Sequence, residues 1–433
     1  MERKSHWSAC CRWDISDKKL FEYLSKFCYL DKICYICIML KAYKYRILPT
    51  KVQESELNQH IGNVRWLYNY ALDLSNKYYA EHKKGLSRYD IQAKIPELKQ
   101  TNEWLKKSNS QSLQVSLINL ETSFKNFFKK RGKYPVFKKK VYGGSFSIPQ
   151  NAKVNFENNT VSIPKFKSIK VVLHRKFEGK IRQATVSKTA TGKFYISFLV
   201  ETSEILPTKK TIDESKAVGI DVGIKDLVIC SDGTKYENPK WYRKAEKRLN
   251  RMNRWRSRKV KGSANRQKWN RKVAKQHEKI SNQRKDMWHK ISHELLSKYD
   301  TICVEDLNVK GMMRNRRISK SIGDAGWGIF FTMLKYKAEW QGKNILEIGR
   351  FEPSSKQCNI CGVTNNNLKL SDRIWTCENG HTLDRDTNAS MNVKRFAFYK
   401  ITTTEGISGS NACGDEILVS SAKQEAHWSL ANG

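Results

Sequence analysis

One short segment restricts the possible folds of this chain more than any other. Residues 218–224 read Val-Gly-Ile-Asp-Val-Gly-Ile, an apolar run that carries a single acid, Asp221. A run this short and this apolar is typical of a buried strand. A carboxylate inside such a strand is costly unless it is paired with a cation or bound to a metal ion. The segment therefore predicts a sheet that holds a functional acid.

Two more segments further along the chain hold acids in rigid positions. Glu305 follows a second apolar run at 301–304, and Asp384 and Asp386 lie just before the helix start Asn-Ala-Ser-Met-Asn. We favour Asp386 over Asp384, because Asp386 could cap the helix as well as bind metal. Three converging carboxylates can hold two Mg²⁺ ions about 3.5–4 Å apart around a phosphodiester. The simpler interpretation, a cap or a salt bridge for each acid, would be favoured for one acid but not for three.

The balance of charge predicts the kind of partner. The chain has 81 Lys and Arg against 42 Asp and Glu in 433 residues, a formal net charge of +39. So basic a chain is expected to bind a polyanion, and nucleic acid is the commonest one. About twenty of the cations lie between 240 and 290, in two predicted helices interrupted near Gly262, with aromatic residues between them. A charge run is usually a solvated face, but a face this uncompensated would repel itself, so we predict phosphate contacts and base stacking.

A group of cysteines near the C-terminal end predicts a second metal site. Cys358 and Cys361 have the Cys-x-x-Cys spacing that lets both thiolates reach one ion, and Cys377 and His381 follow. We interpret the four as a closed, structural zinc site of the Cys₃His type rather than as free thiols. His381 stands where a further cysteine would be expected. The chain has 11 cysteines, an odd number that fits reduced thiols in a cytosol-like compartment better than disulfides.

The remaining pattern divides the chain into several domains. Alternating apolar residues predict strands around 41–48 and between 136 and 205, and helical periodicity covers the segment between them. No run reaches the roughly 18 apolar residues that a membrane span needs. The predicted divisions are an atypical, disordered N-terminal extension at 1–38, a β domain at 39–50 and 131–210, a helical insert at 51–130, an α/β domain at 217–346 and 384–400, a zinc module at 347–383 and a flexible tail at 401–433.

Together these residues resemble the TnpB family, RNA-guided nucleases of insertion sequences and relatives of the miniature type V CRISPR effectors. The resemblance covers about residues 41–400, and the matching segments stand in the family's order. They are Lys41-Ala42-Tyr43-Lys44-Tyr45-Arg46 as the first strand, Arg65-Trp66-Leu67-Tyr68-Asn69 as the first helical signature, Asp221 with Gly223, Val304-Glu305-Asp306-Leu307 and Asp384-Arg385-Asp386-x-Asn388-Ala389 as three RuvC motifs, and Phe351-Glu352-Pro353-x-Ser355-x-x-Cys358 before the zinc ligands.

The resemblance implies an α+β multidomain fold. A wedge-like β-barrel with a helical recognition insert would precede an RNase H-like (RuvC) mixed α/β nuclease domain, into which a zinc-ribbon module is inserted. Asp221, Glu305 and Asp386 would be the catalytic acids and would bind Mg²⁺ or Mn²⁺. The partners would be a guide RNA and double-stranded target DNA beside a short adjacent motif, with base pairing reading the sequence. A monomer or a dimer would act on the RNA in a prokaryotic cytoplasm, at the nucleoid, with no membrane.

Nucleic-acid contacts are predicted in three basic stretches and beside the third acid. The residues are Lys41, Tyr43, Lys44, Arg46, Lys138, Lys139, Lys140, Arg251, Arg254, Arg258 and Arg385. Two other functions stay open. Some relatives have lost catalytic acids and act as RNA-guided repressors without cleavage, and a DNA transposase can use the same RNase H-like chemistry for strand transfer. The intact acids favour cleavage.

Overall fold

A computed structural model of the chain describes residues 38–140, 143–369 and 371–404. The predicted N-terminal extension, up to residue 37, and the predicted tail beyond residue 404 lie outside these ranges. Within them, most buried apolar side chains belong to two large clusters, one formed before residue 205 and the other after residue 217. Each cluster is the core of one sheet and its helices.

The first sheet has seven strands, and each is antiparallel to its neighbours. They are β1 (Ile38–Leu48), β2 (Gly144–Ile148), β3 (Lys153–Asn155), β4 (Thr160–Ile163), β5 (Phe166–Val172), β6 (Lys180–Lys188) and β7 (Phe194–Ile205). Their order across the sheet, β2-β6-β7-β1-β5-β4-β3, places the first strand in the middle. This half-barrel confirms the wedge-like β unit.

In the part of the chain that the structure describes, four α-helices and a five-residue 3₁₀ turn lie between β1 and β2. They are α1 (Lys51–His82), α2 (Arg88–Ala93), α3 (Ile95–Thr101), the 3₁₀ turn Glu103–Lys107 and α4 (Ser110–Phe128). Thr50 and Gln53 form a reciprocal capping box that fixes the start of α1 directly after the first strand. Residues of α1 and α4, among them Leu67 and Leu117, are buried in the core of the first sheet.

The second sheet mixes parallel and antiparallel strands. They are β8 (Ala217–Asp221), β9 (Asp226–Cys230), β10 (Lys235–Glu237), β11 (Thr301–Glu305) and β12 (Asn344–Ile348), in the order β10-β9-β8-β11-β12. β8, β11 and β12 are parallel to one another, and the first three strands form an antiparallel meander. This arrangement confirms the mixed α/β sheet expected of an RNase H-like domain.

Helices cover both faces of the second sheet. They are α5 (Trp241–Ser257), α6 (Ala264–Lys298), α7 (Val309–Met312), α8 (Ser319–Ala325), α9 (Trp327–Trp340) and α10 (Arg385–Thr404), with a short 3₁₀ turn at Glu214–Lys216. Ile302 and Val304 of β11 face the core that contains Trp288 of α6. Cys303, between them, faces α10. None of the helices described is long and apolar enough to cross a membrane.

A small module lies between β12 and α10. Its hairpin consists of β13 (Ile374–Thr376) and β14 (Thr382–Asp384), and an isolated bridge joins Gln357 to Thr364. Cys358, Trp375 and Cys377 form its only described cluster of buried residues, and so small a core needs an additional constraint such as a metal ion.

Candidate active site and zinc centre

The carboxyl ends of two parallel strands place the first two acids side by side. In the register of β8 and β11, Gly219 lies opposite Cys303. Asp221 and Glu305 come two residues later, and each is the last residue of its strand. Neighbouring strands are about 4.8 Å apart, so the two acids share one edge of the sheet.

A glycine lets the third acid approach this edge. A Cβ atom on Gly219 would lie 2.0 Å from the carbonyl oxygen of Ser390 and 2.7 Å from the backbone nitrogen of Lys394. Helix α10 can therefore lie directly on the backbone of β8 only because residue 219 has no side chain. The first turn of α10, which contains Asp386, is thereby brought to the ends of the strands.

Asp221 lies within the electrostatic influence of both other carboxylates. Burial first, and then the negative charges of Glu305 and Asp386, raise the pKa of Asp221 to about 7, although a backbone N–H of Val222 and the cation of Arg385 act to lower it. Like charges at close range disfavour ionisation, and a divalent cation between them would relieve the repulsion. The donor set, three carboxylates, is the type that Mg²⁺ prefers.

The structure separates the roles of the two aspartates near the start of α10. Asp384 accepts a 2.8 Å hydrogen bond from the backbone N–H of Thr387, so Asp384 caps the helix. The prediction that Asp386 is the cap was therefore wrong, although Asp386 is the acid that faces Asp221. Arg373 and Arg385 lie 2.7 and 3.1 Å from the Asp386 carboxylate. Arg385, predicted to contact nucleic acid, is thus largely buried against an acid of the site.

Sequence reasoning missed one residue that contacts the site. The hydroxyl of Ser354 donates a 2.6 Å hydrogen bond to Oε1 of Glu305, and Ser354 is buried. The side-chain amide of Asn392, on α10, donates to the Ser354 carbonyl oxygen at 2.7 Å. Asn388, one turn earlier, donates to the carbonyl oxygen of Gln357. Two asparagines one helical turn apart, on the helix of the third acid, were the signal available in the sequence.

The four predicted zinc ligands meet at one end of the small module. One ligand atom from each of Cys358, Cys361, Cys377 and His381 lies within 4.8 Å of every other. The Sγ atoms of Cys361 and Cys377 are 3.7 Å apart, and Nδ1 of His381 is 3.2 Å from Sγ of Cys377. Zn–S bonds of about 2.3 Å in a tetrahedron give an S–S edge of about 3.8 Å. These spacings are compatible with a tetrahedral zinc site and too long for a disulfide.

The environment of Cys361 favours metal binding. A hydrogen bond from the backbone N–H of Val363 is the main cause that lowers the pKa of this thiol to about 6. The thiolate is the form that coordinates metal, so the ligand is ready at neutral pH. Cys230 and Cys303, by contrast, are buried in the sheet core, and burial raises both pKa values to about 12. Those two thiols have the protonated form expected of core residues.

The residues predicted on the first strand divide into packed and exposed ones. Lys41 forms an ion pair with Glu204, and Tyr43 packs among aromatic rings of the half-barrel. Lys44 and Arg46 are exposed. Only the last two therefore present their side chains to solvent as a nucleic-acid contact requires.

The lysine run after the helical insert is held by the helical signature segment. Asn69 accepts a hydrogen bond from the backbone N–H of Lys138 and donates one to its carbonyl oxygen, at 2.8 and 3.1 Å. The ammonium group of Lys138 lies 3.7 Å from the ring centroid of Tyr68. Lys139 and Lys140 are exposed beside it. The three arginines predicted in the basic helical segment are also exposed; they are Arg251 and Arg254 on α5 and Arg258 directly after it.

Three family models match the chain. A model described as a probable transposase, OrfB of IS605, matches residues 197–316, a Cas12f1-like TNB domain matches residues 327–393, and a helix-turn-helix domain matches residues 39–84. The first covers the strands that carry Asp221 and Glu305, and the second covers the four zinc ligands and Asp386. Residues 39–84 consist mainly of one strand and one long helix, β1 and α1, so the helix-turn-helix description does not fit the structure.

Curated relatives extend over nearly the whole length. A protein of Streptomyces pristinaespiralis, named as a candidate RNA-guided DNA endonuclease, is 37% identical over 87% of this chain and 92% of its own length. The chain belongs to the TnpB family. Another relative, InsQ of Escherichia coli K12, also named as a candidate RNA-guided DNA endonuclease, is 34% identical over 82% of this chain and 91% of its own length.

A solved structure shares the fold of this TnpB-family chain. The protein in a cryo-EM structure of a Cas12f1-sgRNA-target DNA complex superposes with a TM-score of 0.50 at 15% identity, and the match covers 80% of this chain and 83% of that one. At this identity the likeness concerns the fold alone. It supports the order of half-barrel, helical insert, mixed sheet and zinc module described above.

Proposed function

We propose that the chain is an RNA-guided, metal-dependent endonuclease that hydrolyses phosphodiesters of target DNA beside a short adjacent motif. The observation that carries the proposal is the convergence of Asp221, Glu305 and Asp386 at one edge of the second sheet. A net charge of +39 supplies the complementary field for nucleic acid. The names of the two curated relatives support guidance by RNA.

The three acids would hold Mg²⁺ or Mn²⁺. When bound, such ions polarise the scissile phosphate and lower the pKa of a coordinated water. In the reaction the oxygen of water forms a bond to phosphorus, the bond to the leaving oxygen breaks, and that oxygen takes up a proton. Ser354 would fix the orientation of the Glu305 carboxylate, and the ion pairs with Arg373 and Arg385 would fix the position of the Asp386 carboxylate.

A structural zinc ion in the small module completes the proposal. The four side chains would fill all four coordination positions of the zinc ion, so no position would be left for a catalytic water or substrate. Metal analysis of the purified protein should find one zinc per chain, and Cys361→Ser should lower this content. Cys230→Ala, at a buried thiol outside the cluster, is the matched control and should leave the zinc content unchanged.

The partners would be a guide RNA transcribed from the element and double-stranded target DNA. The domain divisions predicted from the sequence remain part of this proposal, with the zinc module assigned to target contact. Sequencing the RNA that copurifies with the protein tests guidance directly: a discrete species with a variable end is expected. A random mixture of cellular RNA would contradict it.

Plasmid cleavage by the copurified ribonucleoprotein in Mg²⁺ tests the chemistry. The wild-type complex should cut a plasmid that carries the matching target, and Asp221→Asn should abolish cutting while RNA binding is retained. Asp286→Asn, which changes an exposed acid on α6, should cut normally. Full cleavage by Asp221→Asn would refute the catalytic assignment. Target binding without cleavage by the wild type would favour the repressor, and RNA-independent joining of DNA ends would favour the transposase.

A further inference from the structure

The hairpin of α5 and α6 has an unusual excess of positive charge around its tip. Between residues 247 and 275 the chain has thirteen Lys and Arg residues and no Asp or Glu. None of the thirteen has an ion-pair partner in the described part of the chain. They are Lys247, Arg248, Arg251, Arg254, Arg256, Arg258, Lys259, Lys261, Arg266, Lys268, Arg271, Lys272 and Lys275. The tip is therefore a region of positive charge that attracts an anionic partner.

Two tryptophans lie among these cations. Trp255 is in the last turn of α5 and Trp269 is in the second turn of α6, and their rings are nearly parallel, at 8°, with centroids 6.0 Å apart. Trp255 is 44% exposed, although tryptophan is usually much more buried. The guanidinium of Arg258 lies 5.5 Å from the Trp255 ring, and the ammonium of Lys272 lies 4.4 Å from the Trp269 ring.

The turn that joins the helices is held rigidly. Ser263 caps α6 by accepting from the backbone N–H of Arg266, and its hydroxyl donates to the carbonyl oxygen of Val260 at 2.9 Å. The guanidinium of Arg266 donates to the carbonyl oxygen of Lys259 at 2.7 Å. Both tryptophans are thus presented on a preformed surface, which lowers the entropic cost of binding a ligand.

We propose that Trp255 and Trp269, with Arg258, Lys259 and Lys272 around them, form a stacking site for an unpaired nucleobase of a single-stranded nucleic acid. The exposed indole would stack on the base, and the cations would contact the neighbouring phosphates. A duplex fits less well, because its base faces are already covered by stacking. The inference goes beyond the proposed function, since it concerns binding and holds whether or not the acids cleave DNA.

Binding of oligonucleotides to the full-length chain, freed of copurified nucleic acid, tests the site. The probes are labelled 20-nucleotide strands of thymidine DNA, of uridine RNA and of abasic spacer, measured by fluorescence anisotropy without divalent metal. Trp255→Ala should weaken binding of the strands with bases by roughly 5- to 100-fold and leave the abasic strand unchanged. Trp255→Phe should retain most of the affinity. A larger loss for RNA than for DNA would identify the guide as the source of the base, and the reverse would identify the displaced DNA strand.

Two controls separate stacking from a structural role of the ring. Arg258→Ala with Lys259→Ala should weaken all three probes, including the abasic strand, and should reduce the salt dependence of binding. Trp340→Ala, which removes another indole that lies near a lysine, should change none of them. Equal weakening of the abasic and base-containing strands by Trp255→Ala would show that the ring only shapes the hairpin. Unchanged binding of every probe would also overturn the proposal.

Discussion

Ser354 is a neutral residue whose side chain contacts one of the proposed catalytic acids, Glu305. Its hydroxyl holds one oxygen of Glu305 at 2.6 Å, so the carboxylate has a fixed orientation. We expect Ser354→Ala to lower the cleavage rate about 10- to 100-fold and to raise the Mg²⁺ concentration needed for half-maximal cleavage. Ser354→Thr, which keeps the hydroxyl, should restore much of the rate.

The neighbouring serine provides the control for this prediction. Ser355→Ala should cleave normally at every Mg²⁺ concentration, since no described hydrogen bond joins Ser355 to the acids. If Ser354→Ala lowered the rate but left the Mg²⁺ dependence unchanged, the hydroxyl would not position Glu305.

Asp221 should make the stability of the chain depend on pH. Its pKa is raised from 3.8 to about 7, by burial first and then by Glu305 and Asp386. Between these values the folded chain keeps a proton that the unfolded chain releases, so the free energy of unfolding falls as pH rises through this window. Asp221→Asn removes the titration. In magnesium-free buffer with zinc, its melting temperature should exceed that of the wild type above about pH 7 and approach it near pH 4.

Thermal denaturation at a series of pH values measures this difference. Adding Mg²⁺ should raise the melting temperature of the wild type more than that of Asp221→Asn, because the metal needs the ionised acid. A difference between the two proteins that stays constant with pH would contradict the assignment of the raised pKa.

Helix α5 depends on a cap from a distant helix. Lys240, before its first residue, has a left-handed backbone with φ of 51° and supplies no side-chain cap. Asp324 of α8 instead accepts from the backbone N–H groups of Tyr242 and Arg243, at 2.9 and 3.2 Å, and lies 3.4 Å from Arg284 of α6. One buried carboxylate thus joins three helices.

Removing this carboxylate should loosen the whole basic hairpin. Asp324→Ala leaves two N–H groups and a largely buried guanidinium without their partner, and we expect it to lower the free energy of unfolding by about 3 kcal/mol. Hydrogen exchange in the first turn of α5 should become faster. Asp286→Ala removes an exposed ion pair with Lys290 and should have little effect on either measurement. Unchanged exchange at Tyr242 and Arg243 in Asp324→Ala would exclude the capping role.

Most helices and strands could be predicted from the local sequence pattern. The pairing of strands in the sheets could not. The strand at Thr301–Glu305 and the interruption near Gly262 are confirmed, because apolar runs and helix breaks are local signals. The bounds of the three-residue strand β3 could not be predicted, since so short a strand has no measurable alternation. The parallel register of β8 and β11 joins segments about eighty residues apart, and only tertiary packing specifies it. The contact of Ser354 with Glu305 depends on that packing as well.

The whole molecule should bind nucleic acid in a strongly salt-dependent way. Its net charge is +39, and Arg251, Arg254 and Arg258 are exposed on α5 and at its C-terminal end. Replacing these three arginines by Gln should reduce the slope of log affinity against log salt by about 2 to 3. Replacing Lys77, whose charge is already paired with Asp73, should hardly change it. An unchanged slope in the triple variant would place the phosphate contacts elsewhere.

The fold class was accessible from the sequence through the resemblance to the TnpB family, which rests on short motifs around the three acids, the zinc ligands, the first strand and the first helix. The assignment of cations was less accurate. Arg385 and Lys41 are engaged by acids of the chain itself, and no composition argument separates such residues from free surface cations. That distinction depends on which carboxylates the fold brings near, which is a property of the complete structure.

The chain order of the acids has a consequence for synthesis on the ribosome. Asp221 and Glu305 emerge early, but the helix that carries Asp386 follows the zinc module and is the last element described. A growing polypeptide that has not reached residue 386 has two of the three acids and cannot assemble the site. If these three acids form the nuclease site as proposed, the chain lacks nuclease activity until residue 386 has been made and folded, and a product that ends within the zinc module would not cleave DNA.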